Sequence, residues 1–384
     1  MGTHNQVAVI GGGLTGKASA VAAARAGFST LHVAPDVAPD RRTTALMGPS
    51  VDYMIETGLI GDPASLGTPL TRIRIIDATE RFLRGPEVAF AASEFGYATF
   101  GWNFPNIALG ESFARAGAAF ESLAHKATTL VSAHRREDVW HLALGDGSVA
   151  TVDLLIGADG KNSGVRKAAG IQVRERKFDQ AALVCDLQLG RGLDGESVEF
   201  HYANGPFTLV PAGRTRANLV WIDRLETLEQ ARRDPEIFKA ALNEKSSHLF
   251  GEIEPVTPSF VFPLSTLSVS VAGRDGAVLV GEAAHAFPPI GAQGLNLGLR
   301  DVAGLDACLR AANPGAYGWA DTVARRYGAD RSPDLMRTGS FVDGLFGTLI
   351  SPHLPAQVLR GAGLWGLKTF PGLRRRAVEF GLGR

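Results

Sequence analysis

The stretch QVAVIGGGLTGKASAVAAARAG, residues 6–27, decides the fold of the N-terminal part of the chain. A β-branched apolar run leads into glycines, an alanine-rich segment follows and another glycine ends it, which predicts a strand, a tight turn and a helix. In the spacing G-x-G-x-x-G, Gly11 permits the turn, Gly13 lets the backbone approach a pyrophosphate, and Gly16 lets helix and strand pack closely. Because the motif follows a strand and opens a helix, dinucleotide binding is favoured over a merely glycine-rich turn.

The residues after this unit depart from the usual pattern. Residues 28–33 are the expected second parallel strand, whose end normally supplies an acid to the ribose hydroxyls about 20 residues past the motif. Ala34 occupies that place, and Asp36 is the nearest substitute. Farther on, Arg42 could neutralise a pyrophosphate or contact a ring oxygen, but a solvated surface arginine is an equally good interpretation of this residue alone.

A second strand ends in the sequence LLIGADGKNSGVR, residues 154–166. The carboxylate of Asp159, next to Gly160, could accept hydrogen bonds from ribose or ribityl hydroxyls, or it could order the neighbouring loop. Arg166 lies early in the helix that follows. An Asp-Gly turn is also common for purely structural reasons, so this motif is a weak signal by itself.

A third strand leads into VLVGEAAHAFPPIGAQGLNLGLRD, residues 278–301. Pro288 and Pro289 stiffen the loop, and Gly291 and Gly294 carry no Cβ, so their amides can approach a flat ligand at the start of a helix. The structural alternative is a strand, a loop and a helix that only pack closely at glycines. The run therefore indicates a ligand-binding site, and the rest of the chain has to decide between this interpretation and the structural one.

Composition limits the possible functions. The chain has 384 residues, which suits two or three subdomains, and its 39 Lys plus Arg equal its 39 Asp plus Glu, so no overall positive field recruits nucleic acid. Cys185 and Cys308 lack the spacing of a zinc or redox site and are expected to be buried thiols in a reducing compartment. No secretion signal and no apolar run long enough to span a bilayer is visible, which favours a cytoplasmic location.

The middle and the end of the chain show other patterns. Residues 181–223 alternate apolar and polar side chains and predict an antiparallel sheet, and residues 226–250 predict a helix. Residues 341–384 combine aromatic and apolar side chains with cations. Their net charge is +6 − 2 = +4, from Arg360, Lys368, Arg374, Arg375, Arg376 and Arg384 against Asp343 and Glu379. This tail could lie on an anionic bilayer surface, or it could pack on the body as helices interrupted by prolines.

Together, the three glycine-bearing motifs resemble those of the FAD-dependent aromatic-ring hydroxylases of the p-hydroxybenzoate hydroxylase type, and the resemblance spans almost the whole chain. Five further segments are most similar to the ubiquinone-biosynthesis branch of that family, namely residues 43–46, 205–211, 219–221, 262–264 and 294–299. The resemblance implies an α/β fold, in which a Rossmann-like FAD-binding domain carries an inserted antiparallel β-sheet substrate domain and a helical C-terminal tail. The expected boundaries are residues 1–72, 98–172 and 272–337 for the FAD-binding domain, 73–97 and 173–271 for the substrate domain, and 338–384 for the tail.

The resemblance also implies roles for individual residues. The implied cofactor-binding residues are Gly11, Gly13, Gly16, Asp36, Arg42, Asp159, Gly160, Glu282, Pro289, Gly291, Gln293, Gly294 and Asn296. The implied substrate pocket, on the wall opposite the flavin, consists of Phe207, Leu209, Pro211 and Pro288. Ala34 and Glu282 depart from the family pattern, because Glu282 stands where Asp is usual. Each imperfect hydrogen bond could weaken FAD binding by roughly 1 kcal/mol.

The implied function is hydroxylation of the aromatic ring of a polyprenylated phenol or quinone precursor in ubiquinone biosynthesis. In this chemistry NAD(P)H reduces the flavin, O2 forms a flavin hydroperoxide, and neither a protein nucleophile nor a metal is required. His285 is accordingly interpreted as a loop anchor rather than a catalytic residue. Two alternatives stay open: an FAD-dependent reductase or dehydrogenase of an isoprenoid or aromatic substrate, and a flavin-binding, non-catalytic scaffold of a biosynthetic complex. The expected location is the cytoplasm, with peripheral contact at the inner face of the membrane through residues 341–384.

Overall fold

The computed structural model describes residues 3–79, 84–289, 291, 293–351 and 353–383. The ends of the predicted FAD-binding domain and tail, residues 1, 2 and 384, lie outside the described residues. The same holds for residues 80–83, 290, 292 and 352 within the predicted segments, and for the side chains of Phe341, Asp343, Leu345, Ile350, Leu354 and Ala356.

The strands and helices follow one another in a mixed order along the chain. The strands are β1 (Thr3–Ile10), β2 (Thr30–Val33), β3 (Thr43–Met47), β4 (Thr68–Leu70), β5 (Arg72–Asp77), β6 (Val88–Ala91), β7 (Gly101–Pro105), β8 (Leu123–Lys126), β9 (Leu130–Arg136), β10 (Val139–Leu144), β11 (Val149–Gly157), β12 (Val173–Leu189), β13 (Glu196–Tyr202), β14 (Gly205–Pro211), β15 (Arg216–Arg224), β16 (Ile253–Pro255), β17 (Phe260–Val269), β18 (Gly273–Arg274), β19 (Ala277–Leu279) and β20 (His285–Ala286). The helices are α1 (Leu14–Arg25), α2 (Gly48–Glu56), α3 (Asn106–Ala118), α4 (Gly164–Ala168), α5 (Leu225–Arg233), α6 (Pro235–Lys245), α7 (Gln293–Arg310), α8 (Trp319–Ile350), α9 (Leu354–Thr369) and α10 (Pro371–Leu382).

The three motifs lie on one sheet with the strand order β18-β19-β11-β1-β2-β8, to which β10 and β9 add in antiparallel fashion. β1 pairs in parallel with β2 and β11, and β11 pairs in parallel with β19. Both faces of β1 are covered: Val7 and Val9 pack in a core with residues of α1, α7 and α8, and Ala8 packs in another with Trp140. The carboxyl ends of β1, β11 and β19 therefore meet at one edge of the sheet, where ligands of open α/β sheets bind.

A second, nine-stranded sheet has the order β20-β17-β12-β15-β14-β13-β5-β6, with β16 beside β12. Its pairs are antiparallel apart from β13 with β5. One face packs Phe207 and Trp221 under α5 and α6, and the opposite face packs Ile222 against Phe346 of α8. Strands β6 and β12 to β17 fall in the segments predicted for the substrate domain, and β5 begins one residue before them. The predicted antiparallel sheet is confirmed.

The predicted helix over residues 226–250 is wrong in its continuity. The structure has two helices here, α5 and α6, which meet at Asp234. Pro235 has no N–H to continue the first helix, and the Asp234 carboxylate caps the second by accepting hydrogen bonds from the N–H groups of Glu236 and Ile237 at 3.0 and 3.2 Å. The apolar periodicity runs through both helices, so it did not reveal the break.

A small sheet with the order β3-β7-β4 lies between the two large ones. Leu46 and Phe104 bury one face of it in a core with residues of α1, α3 and α7. On the other face, the side-chain amide of Asn103 donates a hydrogen bond to the Pro211 carbonyl of the nine-stranded sheet at 3.0 Å. The small sheet thus joins the glycine motifs to the substrate sheet.

The C-terminal helices fold back onto the body. Leu364 of α9 and Leu382 of α10 are buried in a core with Phe90 and Phe100, and the Arg374 guanidinium lies 2.6 Å from the Glu94 carboxylate. The packed interpretation of the tail holds for this face. α8 itself continues across residue 338, where the tail was predicted to begin. Within the described part of the chain, no helix is both long and apolar enough to cross a membrane.

Candidate functional site: a dinucleotide cleft where three strands end

The first motif forms a turn that only glycine can make. Gly11 has φ +128°, and a Cβ on it would lie 2.1 Å from the Ala158 carbonyl oxygen of the second motif. A Cβ on Gly16 would lie 2.1 Å from the Gly11 carbonyl oxygen. A Cβ on Gly13 meets nothing within 4 Å, and the first turn of α1 holds no acidic residue. The backbone N–H groups at this helix end are therefore suited to a phosphate.

The position that lacks the ribose acid is tightly enclosed. Ala34 is buried, its N–H donates to the Lys126 carbonyl at 3.1 Å, and its Cβ would lie only 3.0 Å from a Cβ on Gly12. Asp36, the predicted substitute, is exposed on the loop that follows. A larger side chain at residue 34 would have to turn away from the glycine turn.

His32 is a site residue that none of the sequence motifs contains. Its Nε2 lies 2.9 Å from the Gly11 carbonyl oxygen, and its ring centroid lies 5.1 Å from that of His125. Burial lowers the pKa of His32, and repulsion from His125 and Lys17 adds to this effect, against the hydrogen bond with the Gly11 carbonyl, which raises it. Because a carbonyl oxygen only accepts hydrogen bonds, Nε2 of His32 carries the proton. Its hydrogen bond to Gly11 stabilises the glycine turn. A histidine inside a short buried strand was the available signal.

Arg42 and Glu282, two predicted cofactor residues, are close enough for their charges to interact. Arg42 donates to both carboxylate oxygens of Asp40, each at 2.8 Å, and the Asn106 amide donates to Asp40 at 2.9 Å. Partial burial alone would raise the pKa of Asp40, but these hydrogen bonds lower it to about 2. The hydrogen bond to Asp40 raises the pKa of Arg42 against the effect of burial, and the charge of Glu282 adds to the rise. Asp40 thus holds Arg42 in a fixed orientation near the exposed Glu282.

Asp159 orders its loop and keeps one oxygen available. Its Oδ2 accepts hydrogen bonds from the N–H groups of Gly164 and Val165 at 2.7 and 3.1 Å. Its Oδ1 is buried and, among the described residues, has no hydrogen-bond partner. A buried carboxylate oxygen needs a donor, and a sugar hydroxyl is one. Gly160 has φ +78°, which the sharp turn after Asp159 requires.

Arg166 connects the second motif to the third. It is buried, and its guanidinium donates to the carbonyls of Ala283 and Lys161 at 2.8 and 2.7 Å. Its role is to hold the two loops together, and the sequence showed only that it begins a helix.

The loop of the third motif presents backbone rather than side chains. Gly291 has φ +62°, its carbonyl accepts from the Gln293 amide at 3.1 Å, and a Cβ on Gly294 would meet nothing within 4 Å. Pro289 is exposed and Pro288 is buried. Approach of a flat ring to the amides around Gly294 stays a prediction, with residues 290 and 292 outside the described part.

The side-chain amide of Asn296, a predicted cofactor-binding residue, bonds to other residues of the protein. Its Oδ1 accepts from the Met47 N–H and the Ser50 hydroxyl, each at 2.8 Å, and its Nδ2 donates to the Ala45 carbonyl at 2.9 Å. These bonds occupy the amide, so Asn296 fixes the start of α7 against β3. Its backbone remains for the cofactor role.

A buried carboxylate anchors the same loop from behind. Asp301 is 0% exposed and accepts hydrogen bonds from the Gly281 N–H at 2.9 Å, His285 Nε2 at 2.6 Å and Arg331 Nε at 2.9 Å. Burial alone would raise the pKa of Asp301, but the charges and hydrogen bonds of His285 and Arg331 and the Gly281 N–H hold it below its usual value. His285 is a loop anchor, as predicted; Arg331, on the distant α8, was missed because no motif surrounds it.

The predicted substrate-pocket residues of β14 face away from this cleft. Phe207 and Leu209 are 0% exposed in the core beneath α5 and α6, and Pro211, also buried, offers its carbonyl to Asn103. Thr208 and Val210, on the opposite face, are half-buried. Because side chains alternate along a strand, a shift of one residue exchanges the two faces, and the sequence alone did not say which face the cleft uses.

The residues present fit a bound FAD. The glycine turn with the start of α1, the Asp40–Arg42 pair beside Glu282, and the open oxygen of Asp159 supply phosphate and hydroxyl partners along one sheet edge. In solved structures, p-nitrophenol 4-monooxygenase PnpA from Pseudomonas putida superposes with a TM-score of 0.81 at 16% identity, over 100% of this chain and 99% of that one. A variant of HpxO from Klebsiella pneumoniae, complexed with FAD, superposes with a TM-score of 0.79 at 18% identity, over 99% and 98%. The chain therefore has the same fold as these two proteins.

A family model described as "FAD binding domain" matches residues 4–333, and the chain belongs to that family. The 3-demethoxyubiquinol 3-hydroxylase of Escherichia coli is 28% identical over 98% of both chains. Ubiquinone hydroxylase UbiL of Rhodospirillum rubrum is 28% identical over 98% of this chain and 89% of its own. The predicted fold class, FAD as cofactor and the enzyme class are confirmed.

The carboxylate of Glu282 should be required for FAD affinity, whereas its extra methylene should matter little. Glu282→Ala removes an ionised hydrogen-bond acceptor and is expected to raise the FAD dissociation constant about 10- to 100-fold, with Glu282→Asp staying within about threefold. Titration of apoprotein by flavin fluorescence measures both. The exposed Glu121→Ala serves as the control. Unchanged affinity in Glu282→Ala would remove this residue from the site.

Asp301→Asn should destabilise the protein by about 3–5 kcal/mol at pH 7, because Arg331 loses a buried partner. The folded-state pKa of Asp301 is depressed, so its contribution is present above the unfolded pKa of about 3.9 and is lost as pH falls. The difference between wild type and variant should therefore shrink below about pH 4, as followed by urea unfolding. Asp330→Asn, which removes an exposed ion pair with Arg326 on the same helix, should change stability by less than about 0.5 kcal/mol. Equal losses in both variants would contradict the assignment.

Proposed function

We propose that this protein hydroxylates the aromatic ring of a polyprenylated phenol or quinone precursor in ubiquinone biosynthesis, with NAD(P)H as reductant and O2 as co-substrate. The observation that carries the proposal is the full-length similarity to two hydroxylases that act in that chemistry by name. Mouse ubiquinone biosynthesis monooxygenase COQ6 adds 32% identity over 43% of this chain and 42% of its own.

The chain's own residues bind and orient, and the cofactor supplies the redox chemistry. FAD, when bound, activates O2 after reduction, a step for which side chains have no equivalent. The glycine turn and α1 would hold its phosphates, Arg42 and Glu282 its central part, and the loop around Gly294 its ring. The buried Asp301 network keeps that loop in place, so that reacting atoms are positioned and water is excluded.

One face of the nine-stranded sheet is suited to a prenyl chain. Val184 of β12 lies opposite Phe260 of β17 and opposite Val220 of β15, which in turn lies opposite Thr208. Directly opposed residues share a face, so these form one row across four strands, called here the apolar row after its three apolar members, with Thr208 at one end. Three of its members are half-buried and Phe260 is 55% exposed, stacked on Phe262 with ring centroids 6.5 Å apart.

The row lies between two covered regions. Above it, α8 packs Phe346 on Ile222, and below it, Asn103 of the small sheet reaches Asn218. A cleft with an apolar floor and few polar groups is the usual character of a site for a small hydrophobic molecule. This arrangement supports an isoprenoid substrate.

The same proposal includes a location at the inner face of the cytoplasmic membrane. Leu359 and Trp365 of α9 and Phe370, which lies between α9 and α10, are 64%, 60% and 62% exposed, and the cations Lys368 and Arg376 of the same two helices are exposed as well. Exposed aromatic and apolar side chains, together with cations in the same segment, favour the surface of an anionic bilayer. A biosynthetic complex, the other predicted partner, remains a prediction.

Labelled oxygen tests the reaction. FAD-reconstituted protein, incubated with NAD(P)H, 18O2 and a phenol carrying a short prenyl chain, should form a product with one labelled oxygen atom on the ring. A reductase would oxidise NAD(P)H and give unlabelled product, and a scaffold would oxidise none. Protein stripped of FAD is the control. Absence of a flavin band near ~450 nm after reconstitution would also contradict the proposal.

Vesicle binding tests the location. The double variant Trp365→Ser/Phe370→Ser should bind vesicles containing anionic lipid about 10- to 100-fold more weakly, because two side chains that would enter the interface are removed. Tyr317→Ser, an aromatic that is 95% exposed on the loop before α8, should bind as wild type does. If the double variant also binds unchanged, this segment does not contact the membrane.

A further inference from the structure

A chain of buried amides leads to one carboxylate beside the apolar row. Asn103 Nδ2 donates to Asn218 Oδ1 at 2.6 Å, and Asn218 Nδ2 donates to Asp186 Oδ1 at 2.5 Å. Asn103 and Asn218 are 3% and 8% exposed, whereas Asp186 is half-buried. Since Asn218 both accepts and donates within this chain, its amide orientation is set, and so is the carboxylate it holds.

These groups belong to the face that carries the apolar row. Asp186 lies directly opposite Asn218, and Asn218 lies directly opposite Val210. This polar row is two residues along each strand from Val184 and Val220, so the two rows are neighbours on one face. A molecule that lies along the apolar row with a polar ring end would reach Asp186.

The same chain is connected to the FAD loop. Asn296, at the start of α7, donates to the Ala45 carbonyl at 2.9 Å, and Ala45 is the cross-strand partner of Asn103. Three contacts thus connect the region of the glycine loop with Asp186: α7 bonds to β3, β3 pairs with β7, and β7 bonds to the nine-stranded sheet. A continuous series of contacts thus joins α7, which follows the glycine loop, to the carboxylate of Asp186.

Asp186 has one acceptor oxygen to spare. Its Oδ1 accepts from Asn218, its backbone N–H and carbonyl bond Thr257 and Val256 at 2.8 Å each, and for Oδ2 the described residues supply no donor. An ionised carboxylate only accepts hydrogen bonds, and next to apolar side chains it gains most from a donor of its own. A phenolic hydroxyl is such a donor; a methyl ether and a quinone carbonyl are not.

We propose that Asp186 is a specificity-determining residue that accepts a hydrogen bond from a free ring hydroxyl of the substrate through Oδ2. Asn218 and Asn103 are positioning residues that hold the carboxylate, and the prenyl chain lies along the apolar row towards Phe260 and Phe262. The inference rests on the proposed function and narrows the class of substrate. The site takes the phenol or reduced quinol form of the ring and discriminates against its methyl ether and its quinone.

The test compares a prenylated phenol with its own methyl ether. Calorimetric titration of FAD-reconstituted wild type should give a dissociation constant about 10- to 100-fold lower for the phenol, as expected for a hydrogen bond to a charged group. Asp186→Asn should reduce that preference to within about threefold while its affinity for the methyl ether stays unchanged. Asp179→Asn, at an exposed position of the same strand, is the matched control and should keep the full preference.

Turnover gives a second readout. In Asp186→Asn the ring is held less firmly, so NAD(P)H oxidation should continue while the product formed per NAD(P)H falls at least about threefold, at unchanged FAD content. Asn103→Ala, which loosens the carboxylate without removing it, should lower the phenol preference by a smaller factor. A merely structural role would change stability and both ligands alike.

The outcomes separate the assignment of Asp186 from the proposed reaction. Preference for the phenol without labelled-oxygen incorporation would remove the proposed reaction and keep the assignment of Asp186. Hydroxylation with equal affinity for phenol and methyl ether in wild type would overturn the assignment and keep the reaction. Full preference in Asp186→Asn would also overturn it. Because wild type with the two ligands can already overturn the assignment, the test does not depend on whether a variant folds.

Discussion

The buried carboxylate of Asp301 is the interaction on which the site depends. It accepts hydrogen bonds from the loop before it, through Gly281 and His285, and from Arg331 on the C-terminal α8. An ionised group at 0% exposure is tolerable only when its charge and lone pairs are matched, and here three donors match them. These hydrogen bonds fix α7, α8 and the loop relative to one another. A movement of α8 would therefore displace the FAD loop.

Close contacts between the motifs complete that arrangement. A Cβ on Gly281 or Gly298 would lie 3.0 or 2.9 Å from Thr15 Oγ1 in the first helix, and Gly11 lies against Ala158 of the second motif. The glycines thus serve two needs, the fit of three loops to one another and the access of a ligand to their amides. Arg166 adds a charged bridge between the second and third loops. These contacts between the three loops, and not contacts with a ligand, hold the cleft in shape.

The two departures from the family pattern have different surroundings. Ala34 is packed against the turn at Gly12, in a position where His32 below and Gly11 beside it are already hydrogen-bonded. Glu282 is exposed and within the electrostatic reach of Arg42, which Asp40 holds in place. The longer side chain of Glu282 therefore lies in a charged cluster with Arg42 and Asp40. We expect the protein to adjust to a bound FAD at Glu282 rather than at residue 34.

The sequence by itself determined the motifs and their order. Gly11, Asp159 and Gly281 stand just after strand ends, and Gly16 lies in the first turn of α1. Local chemistry restricts such positions, so the FAD-binding domain and the antiparallel sheet could be predicted. Only the tertiary structure decided which face of β14 points into the cleft, that residues 226–250 form two helices, and that Arg331, His32 and Asp40 support the site. The physical reason is that alternation along a strand defines two equivalent faces until packing chooses one. Likewise, a partner contributed by a distant helix leaves no local pattern in the chain.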